Sequence, residues 1–170
     1  VGVCNFLAWQ VCRALWVQER LNAAPLITVQ NPYSLLNRSL EQEMFPLVRE
    51  LGLGIMAYAP LGTGLLSGSY MPGSTPPTST LWGGARRDQL SRALDGRSGD
   101  VVTTVRAIAE RSGATTAQVA LAWVLSHPEV TVAISGADTD AQLQDNLGAA
   151  DLRIAPEDLE RLNAVSEGLG

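Results

Sequence analysis

The sequence predicts an α/β fold built on a parallel sheet, and three observations carry the prediction. Short apolar runs bounded by turn residues recur along the chain, at Val1–Cys4, Leu26–Gln30, Ile55–Ala59 and Val130–Ser135. Segments with apolar residues three and four apart lie between them, which is βαβ spacing and implies parallel strands. Glycines and a proline crowd the carboxyl end of the third run, in Pro60-Leu61-Gly62-Thr63-Gly64, where α/β proteins collect their ligands. The order read from the chain is β-α-β-α-β-loop-α-α-β-α-α. Four βα units are half of an eight-stranded barrel, which in full needs about 250 residues. Three architectures satisfy the pattern: a small open sheet, a half barrel that associates with itself, and a piece of a larger chain.

The first run ends at Asn5. Leu7–Ala23 reads as a helix, with Trp9, Cys12 and Trp16 on one side and Gln10, Arg13 and Gln18 interspersed. Pro25 punctuates. The β-branched run Leu26–Gln30 stops at Asn31-Pro32. Ser39-Leu40-Glu41-Gln42 reads as a capping box, in which a serine hydroxyl accepts a helix N–H and a glutamine reaches back. Leu40, Met44, Leu47, Val48 and Leu51 form the apolar stripe of the helix it opens, and Gly52 closes it. Ile55–Ala59 has the length of a buried strand, and Pro60, lacking an N–H for the ladder, ends it. The glycines at 62, 64 and 68 serve either a plain turn or a loop wrapped round a ligand.

Residues 69–99 break every period, through Pro72, Gly73, Pro76, Pro77, Gly83, Gly84 and Gly96. A loop of that length is a surface excursion or a cover for a ligand, and Arg86, Arg87 and Arg92 make it locally basic. Ser98 or Asp100 caps the next helix, whose inner side is Val101, Val105, Ile108 and Ser112 and whose end is Gly113. Thr115–Gln118 is a second capping box. The helix it opens is apolar nearly all round through Leu125 and is expected to be buried. Pro128 precedes the fourth strand. Gly136-Ala137-Asp138 bends into a third capping box, Thr139–Gln142, and a helix through Ala149. Pro156 opens a last helix with Leu159 and Leu162 inward.

Composition bounds the function. The 170 residues are 46% hydrophobic, enough for a core, and suit one domain spanning 1–170. No apolar run has the length of a membrane span, and no charged segment leads into an apolar block with a small-residue cleavage site. The net charge is -5 and every one of the 12 basic residues is arginine. A sparse acidic surface argues against nucleic acid and against anionic membranes as partners. Cys4 and Cys12, without a CxxC, and a single histidine make no metal site, and reduced thiols in a cytoplasmic setting are expected. The chain opens at Val1, inside a predicted strand, which reads as a fragment.

Taken in order, Gly2-Val3-Cys4-Asn5-Phe6, Val29-Gln30-Asn31-Pro32-Tyr33-Ser34, Met56-Ala57-Tyr58-Ala59-Pro60-Leu61-Gly62-Thr63-Gly64 and the segment from Gly136 to Asn146 resemble the aldo-keto reductases, a (β/α)8-barrel (TIM-barrel) superfamily that uses nicotinamide cofactors. The likeness covers essentially the whole chain, as the C-terminal half of the barrel from its fifth strand. It is strongest to the bacterial branch related to potassium-channel β subunits. The resemblance implies that Asn5 and Gln30 hold the nicotinamide carboxamide, with Cys4 in place of the usual serine. It implies that Tyr58 stacks on the nicotinamide ring and that Ala59, Leu61 and Thr63 contact the pyrophosphate. Gly136, Asp138, Thr139, Gln142 and Asn146 then hold the adenosine end, at a helix N-terminus that favours phosphate.

The same resemblance implies reduction of an aldehyde or ketone by hydride transfer from NADP, with NAD also open. Asp138 stands where relatives often carry a basic residue, and Ser69 where many carry lysine; Arg86 or Arg87 could supply a phosphate contact instead. The family's catalytic Asp, Tyr, Lys and His come from the first half of the barrel, and this chain has no lysine. No catalytic residue is therefore expected here. His127 is expected at a helix end, Tyr33 as a structural residue, and Asp140 and Asp145 as solvated helix charges. The implied partners are a small carbonyl substrate and the missing N-terminal half of the barrel, with self-association through the bare strand edges as a further expectation. A non-catalytic nucleotide-binding or regulatory module is the alternative.

Overall fold

A computed structural model describes residues 1–71 and 73–170; Pro72, one of the breakers named above, lies outside the described residues. The elements are β1 (Gly2–Cys4), α1 (Ala8–Arg20), β2 (Thr28–Pro32), α2 (Leu40–Leu51), β3 (Gly54–Tyr58), α3 (Arg87–Ala93), α4 (Gly96–Ser112), α5 (Thr116–Leu125), β4 (Val130–Ile134), α6 (Asp140–Leu147) and α7 (Pro156–Ser166), with short 3-10 turns at Leu65–Ser67 and Gly148–Ala150. The sheet runs β1-β2-β3-β4, and all three pairings are parallel. The class is the predicted one: an α/β chain with a four-stranded parallel sheet, consistent with part of a (β/α) barrel.

Side chains alternate across the strands, and the two faces differ. On β2 and β3, Val29, Asn31, Ile55 and Ala57 are buried, while Thr28, Gln30, Met56 and Tyr58 are half-buried. The buried face carries the core, joined by Val11 of α1, Met44, Phe45 and Val48 of α2, Val101, Val105 and Ile108 of α4, and Val119, Ala120, Trp123 and Val124 of α5. Parallel sheets are ordinarily covered on both faces. Among the described residues the other face has no helix layer, and Val132 of β4 stands 41% exposed.

Several local expectations hold. Gly52 ends α2 in the left-handed region (φ 65°), where glycine has no Cβ to clash, and Gly113 does the same for α4. Thr115 and Gln118 form a reciprocal capping box on α5, which is buried nearly all round. Pro156 stands at the first turn of α7, and Leu162 is fully buried.

Others are corrected. Ser39 does not cap α2: it is already helical, and its hydroxyl donates to Asn37 Oδ1 instead. Leu51 points to solvent, and Phe45, off the expected stripe, is buried. Residues 69–99 are not one loop, because α3 and the first turn of α4 form inside them. The cap of α4 is Asp95, which accepts the Gly96 N–H at 2.9 Å, rather than Ser98 or Asp100. The inner side of α4 includes Val101, Val105 and Ile108 but not Ser112, whose hydroxyl donates to the Ile108 carbonyl from an exposed position. The third capping box is only half made. Thr139 accepts the Gln142 N–H, but the Gln142 side chain takes the Asp138 N–H in place of Thr139's own. On α1, Trp9, Cys12 and Trp16 face outward, and the helix ends at Arg20.

Candidate cofactor site

The carboxyl ends of the strands bring the expected residues to one edge of the sheet. The register pairs Cys4 with Gln30 and Gln30 with Met56, two residues before Tyr58, so Cys4, Gln30 and Tyr58 share the uncovered face. Asn5 follows directly. Its backbone N–H donates to the Gln30 carbonyl at 2.9 Å, and its side-chain Oδ1 accepts from the Tyr58 hydroxyl at 2.9 Å. The tips of β1, β2 and β3 are thus tied by one backbone and one side-chain bond. Asn5 sits at φ 57°, a conformation that asparagine tolerates better than most residues.

Beyond Tyr58 the chain turns sharply. Ala59 (φ 51°) and Thr63 (φ 57°) both occupy the left-handed region, which costs a residue with a Cβ about 1 kcal/mol or more. Gly62 and Gly64 adopt it freely. Strained, non-glycine backbone held by its surroundings marks binding loops more often than plain turns. The turn is fixed from outside as well: Trp82, 6% exposed, reaches back from the long segment and donates its indole N–H to the Thr63 carbonyl at 2.9 Å.

This turn walls a groove of about 700 Å³ between the tips of β3 and β4. Ala59, Leu61 and Thr63 line one side, and Gly136, Asp138, Gln142 and Asn146 the other. Ser79, Thr80 and Leu81 of the long segment also line it. The volume is within the range of small-molecule sites. Small side chains and turn backbone make up much of its lining, which suits close approach of a long polar ligand such as a dinucleotide.

The sequence-predicted residues therefore fall into two adjoining sets. Ala59, Leu61, Thr63, Gly136, Asp138, Gln142 and Asn146 meet in the groove. Cys4, Asn5, Gln30 and Tyr58 lie along the strand tips beside it. Thr139 lines neither, because its hydroxyl is directed at the Gln142 N–H and caps α6. Ser135 went unnoticed in the sequence: its hydroxyl accepts from Asn146 Nδ2 at 3.1 Å and anchors α6 to the end of β4. Its position directly after the strand was the available signal. Asp145 is not simply solvated. It lines the groove, and its carboxylate accepts from the Thr115 hydroxyl at 2.8 Å. Neither Arg86 nor Arg87 reaches the groove; Arg86 lies over the Trp82 ring, 5.4 Å from its centroid.

The groups with shifted protonation lie elsewhere. Tyr33 is fully buried and donates to Glu41 Oε1 at 2.6 Å, and burial and the Glu41 carboxylate push its pKa up. Burial pushes the Glu41 carboxyl up as well, but the bonds from Arg38 and Tyr33 outweigh it and hold its pKa below the usual value. His127 packs against Tyr33, Phe45 and Trp123, and its Nδ1 lies 3.0 Å from the Trp123 carbonyl. Burial lowers its pKa. This cluster is packed among α2, α5 and α7, apart from the groove, and serves stability.

Comparisons with known proteins give the family. The aldo/keto reductase family model matches residues 1–167. An uncharacterized oxidoreductase of Bacillus subtilis, YrpG, is 33% identical over all of this chain and 49% of its own length. A probable voltage-gated potassium channel subunit beta of rice is 32% identical over 96% of this chain and 51% of its own length. An NADH-specific methylglyoxal reductase of Escherichia coli is 27% identical over 90% of this chain. The chain spans about half the length of these relatives, 46% in the last case. A match over nearly every residue leads to one conclusion: this chain belongs to the aldo/keto reductase family.

Proposed function

We propose that the chain is the cofactor-holding, C-terminal half of an NAD(P)H-dependent aldo-keto reductase that reduces an aldehyde or ketone. The observation that carries this reading is the groove at the tips of β3 and β4, whose lining begins at Ala59, the residue after the Tyr58 that bonds Asn5. In that arrangement Tyr58 offers its ring face to the nicotinamide, while Asn5 and Gln30 orient the carboxamide from neighbouring strand ends. Ala59, Leu61 and Thr63 receive the pyrophosphate, and Gln142 and Asn146 the adenosine. The cofactor supplies the hydride. The chain's own residues fix the ring's orientation, and Ser79–Leu81 add small polar and apolar lining to the groove.

The general acid and the groups that tune it are supplied by a part of the protein outside these residues, since the family's lysine has no counterpart in a chain without lysine. The uncovered sheet face and the match to half of each relative both favour a further half barrel as the main partner. A non-catalytic regulatory role, suggested by the relatives named as channel subunits, is the second reading. NADPH-quenched tryptophan emission and carbonyl-dependent NADPH oxidation test both. The full-length protein is expected to bind cofactor and consume it when an aldehyde is added. The 170 residues alone are expected to bind weakly and not to turn over. Binding without turnover in the full-length protein would favour the regulatory reading, and absence of binding would remove both.

A further inference from the structure

We propose that a second hollow, on the long segment and separate from the groove, binds a small ω-amino carboxylate. Arg87 takes its carboxylate, Asp95 its ammonium group, and Leu90, Leu94 and Met71 its methylene spine. The inference goes beyond the cofactor reading and does not depend on it.

The hollow has a volume of about 350 Å³, within the range of small-ligand sites. Its lining shares no residue with that of the groove. One wall is α3 with the two residues that follow it. Arg87 stands at the start of this wall and Asp95 at its end. The helical turn carries on past Ala93, because the Leu94 N–H donates to the Leu90 carbonyl at 2.9 Å and the Asp95 N–H to the Arg92 carbonyl at 3.3 Å. At about 1.5 Å of rise per residue, the backbones of the two charged residues stand roughly 12 Å apart. Leu90 and Leu94 lie between them; both line the hollow and both are buried, so the floor is apolar. Met71 lines it from the segment before α3, where the Ser74 hydroxyl donates to the Met71 carbonyl at 2.7 Å and fixes that wall.

The charges at the two ends are open. Arg87 makes no ion pair and no side-chain hydrogen bond among the described residues. Asp95 uses Oδ1 to accept the Gly96 N–H at 2.9 Å, which leaves Oδ2 without a partner among the described residues. The two side chains are opposite in sign, yet they do not pair with each other. A complementary ligand therefore carries a negative end and a positive end on an apolar spine. A carboxylate matches the forked guanidinium of Arg87, and an ammonium group donates to Asp95 Oδ2. A dicarboxylate or a diamine sets one of its charges against a like charge, and a simple fatty acid leaves Asp95 unanswered.

The test uses 6-aminohexanoate as probe, with hexanoate and hexylamine as its single-charge counterparts, titrated into the full-length protein and followed by saturation-transfer difference NMR. Arg87→Gln and Asp95→Asn are titrated in parallel. Both side chains are exposed, and asparagine keeps the cap on α4, so both variants should retain the circular dichroism and Tm of the unsubstituted protein. The probe is expected to bind in the low millimolar range, and each single-charge counterpart about three- to fivefold more weakly, the size of a solvent-exposed ion pair. Arg87→Gln should weaken the two carboxylates by that factor and leave hexylamine unchanged. Asp95→Asn should weaken the two amines and leave hexanoate unchanged. Equal binding of all three compounds, or binding that neither substitution moves, overturns the assignment of the two ends. Absence of saturable binding removes the site. Displacement of the probe by NADPH would put it in the groove and overturn the inference as well.

Discussion

The two flanks of the sheet are built differently. On the β3–β4 side, α5 is buried nearly all round, Trp123 has no exposed surface, and the long segment folds over the strand tips through Trp82. On the β1 side, α1 turns Trp9 and Trp16 outward at 57% and 55% exposure, with Leu21 and Ile27 exposed beside them. Both flanks carry tryptophans, yet only one buries them. An exposed apolar surface of that kind on a parallel α/β sheet is one that another layer or partner would cover. The groove belongs to the finished flank: Ala117 of α5 lines it, and Trp82 ties the turn that walls it.

The largest test of that contrast is Trp123→Ala. The side chain stacks on Tyr33, meets His127 edge-on, and donates its indole N–H to Asn163 Oδ1 at 2.9 Å. Its removal leaves a cavity and an unpaired amide oxygen, and should cost about 3–5 kcal/mol in urea unfolding. A loss below about 1 kcal/mol would mean that the finished flank is no better packed than the bare one.

A smaller effect comes from acid. His127 is held neutral by burial, so its folded pKa lies below its ordinary 6.5. The unfolded chain then binds more protons, and the stability this group contributes is complete above pH 6.5 and is lost as pH falls through 6.5 toward the folded value. Glu41 behaves in the same direction in a lower window. Its folded pKa lies below 4.5, so its contribution is present above pH 4.5 and fades on further acidification. Unfolding free energies measured from pH 7.5 downward should therefore fall in two steps, and His127→Gln should abolish the upper one. An upper step that survives His127→Gln would place the proton elsewhere, since His127 is the only histidine.

How much of this was legible in the sequence follows from where the determining forces act. The strands, Gly52, the Thr115–Gln118 box and the apolar α5 are local signals, and local signals survive into the fold. The Ser39 box failed because Ser39 is itself helical, and Asn37, two residues earlier, accepts both its backbone N–H and its hydroxyl. The 69–99 loop was over-read because its helices are short and rest on tertiary contacts of Leu90 and Leu94 rather than on periodicity. The strand-tip residues were legible as a set because parallel strands of similar length end together. The groove's acidity was only half legible. Asp138 was visible, but the diversion of Arg86 onto Trp82 and the role of Thr115 in presenting Asp145 are contacts between distant segments that no spacing encodes.

The smallest expected effect is on the bare flank, and it is the one that defines the comparison. Trp9→Ser removes a large ring that is more exposed than buried, so the stability of these 170 residues should change by no more than about 0.5 kcal/mol. Trp16→Ser should cost slightly more, up to about 1 kcal/mol, because the Arg20 guanidinium lies over its ring at 4.8 Å. The same two substitutions made in the full-length protein should be far more damaging, at about 2 kcal/mol or more each, if a second half barrel packs on α1 and removes those rings from water. Equal small effects in both settings would mean that α1 stays exposed in the full-length protein and that no further half barrel packs on it. A large effect in these residues alone would show that the flank is already covered, by a second copy or by its own rearrangement, and sedimentation at two concentrations separates those two outcomes.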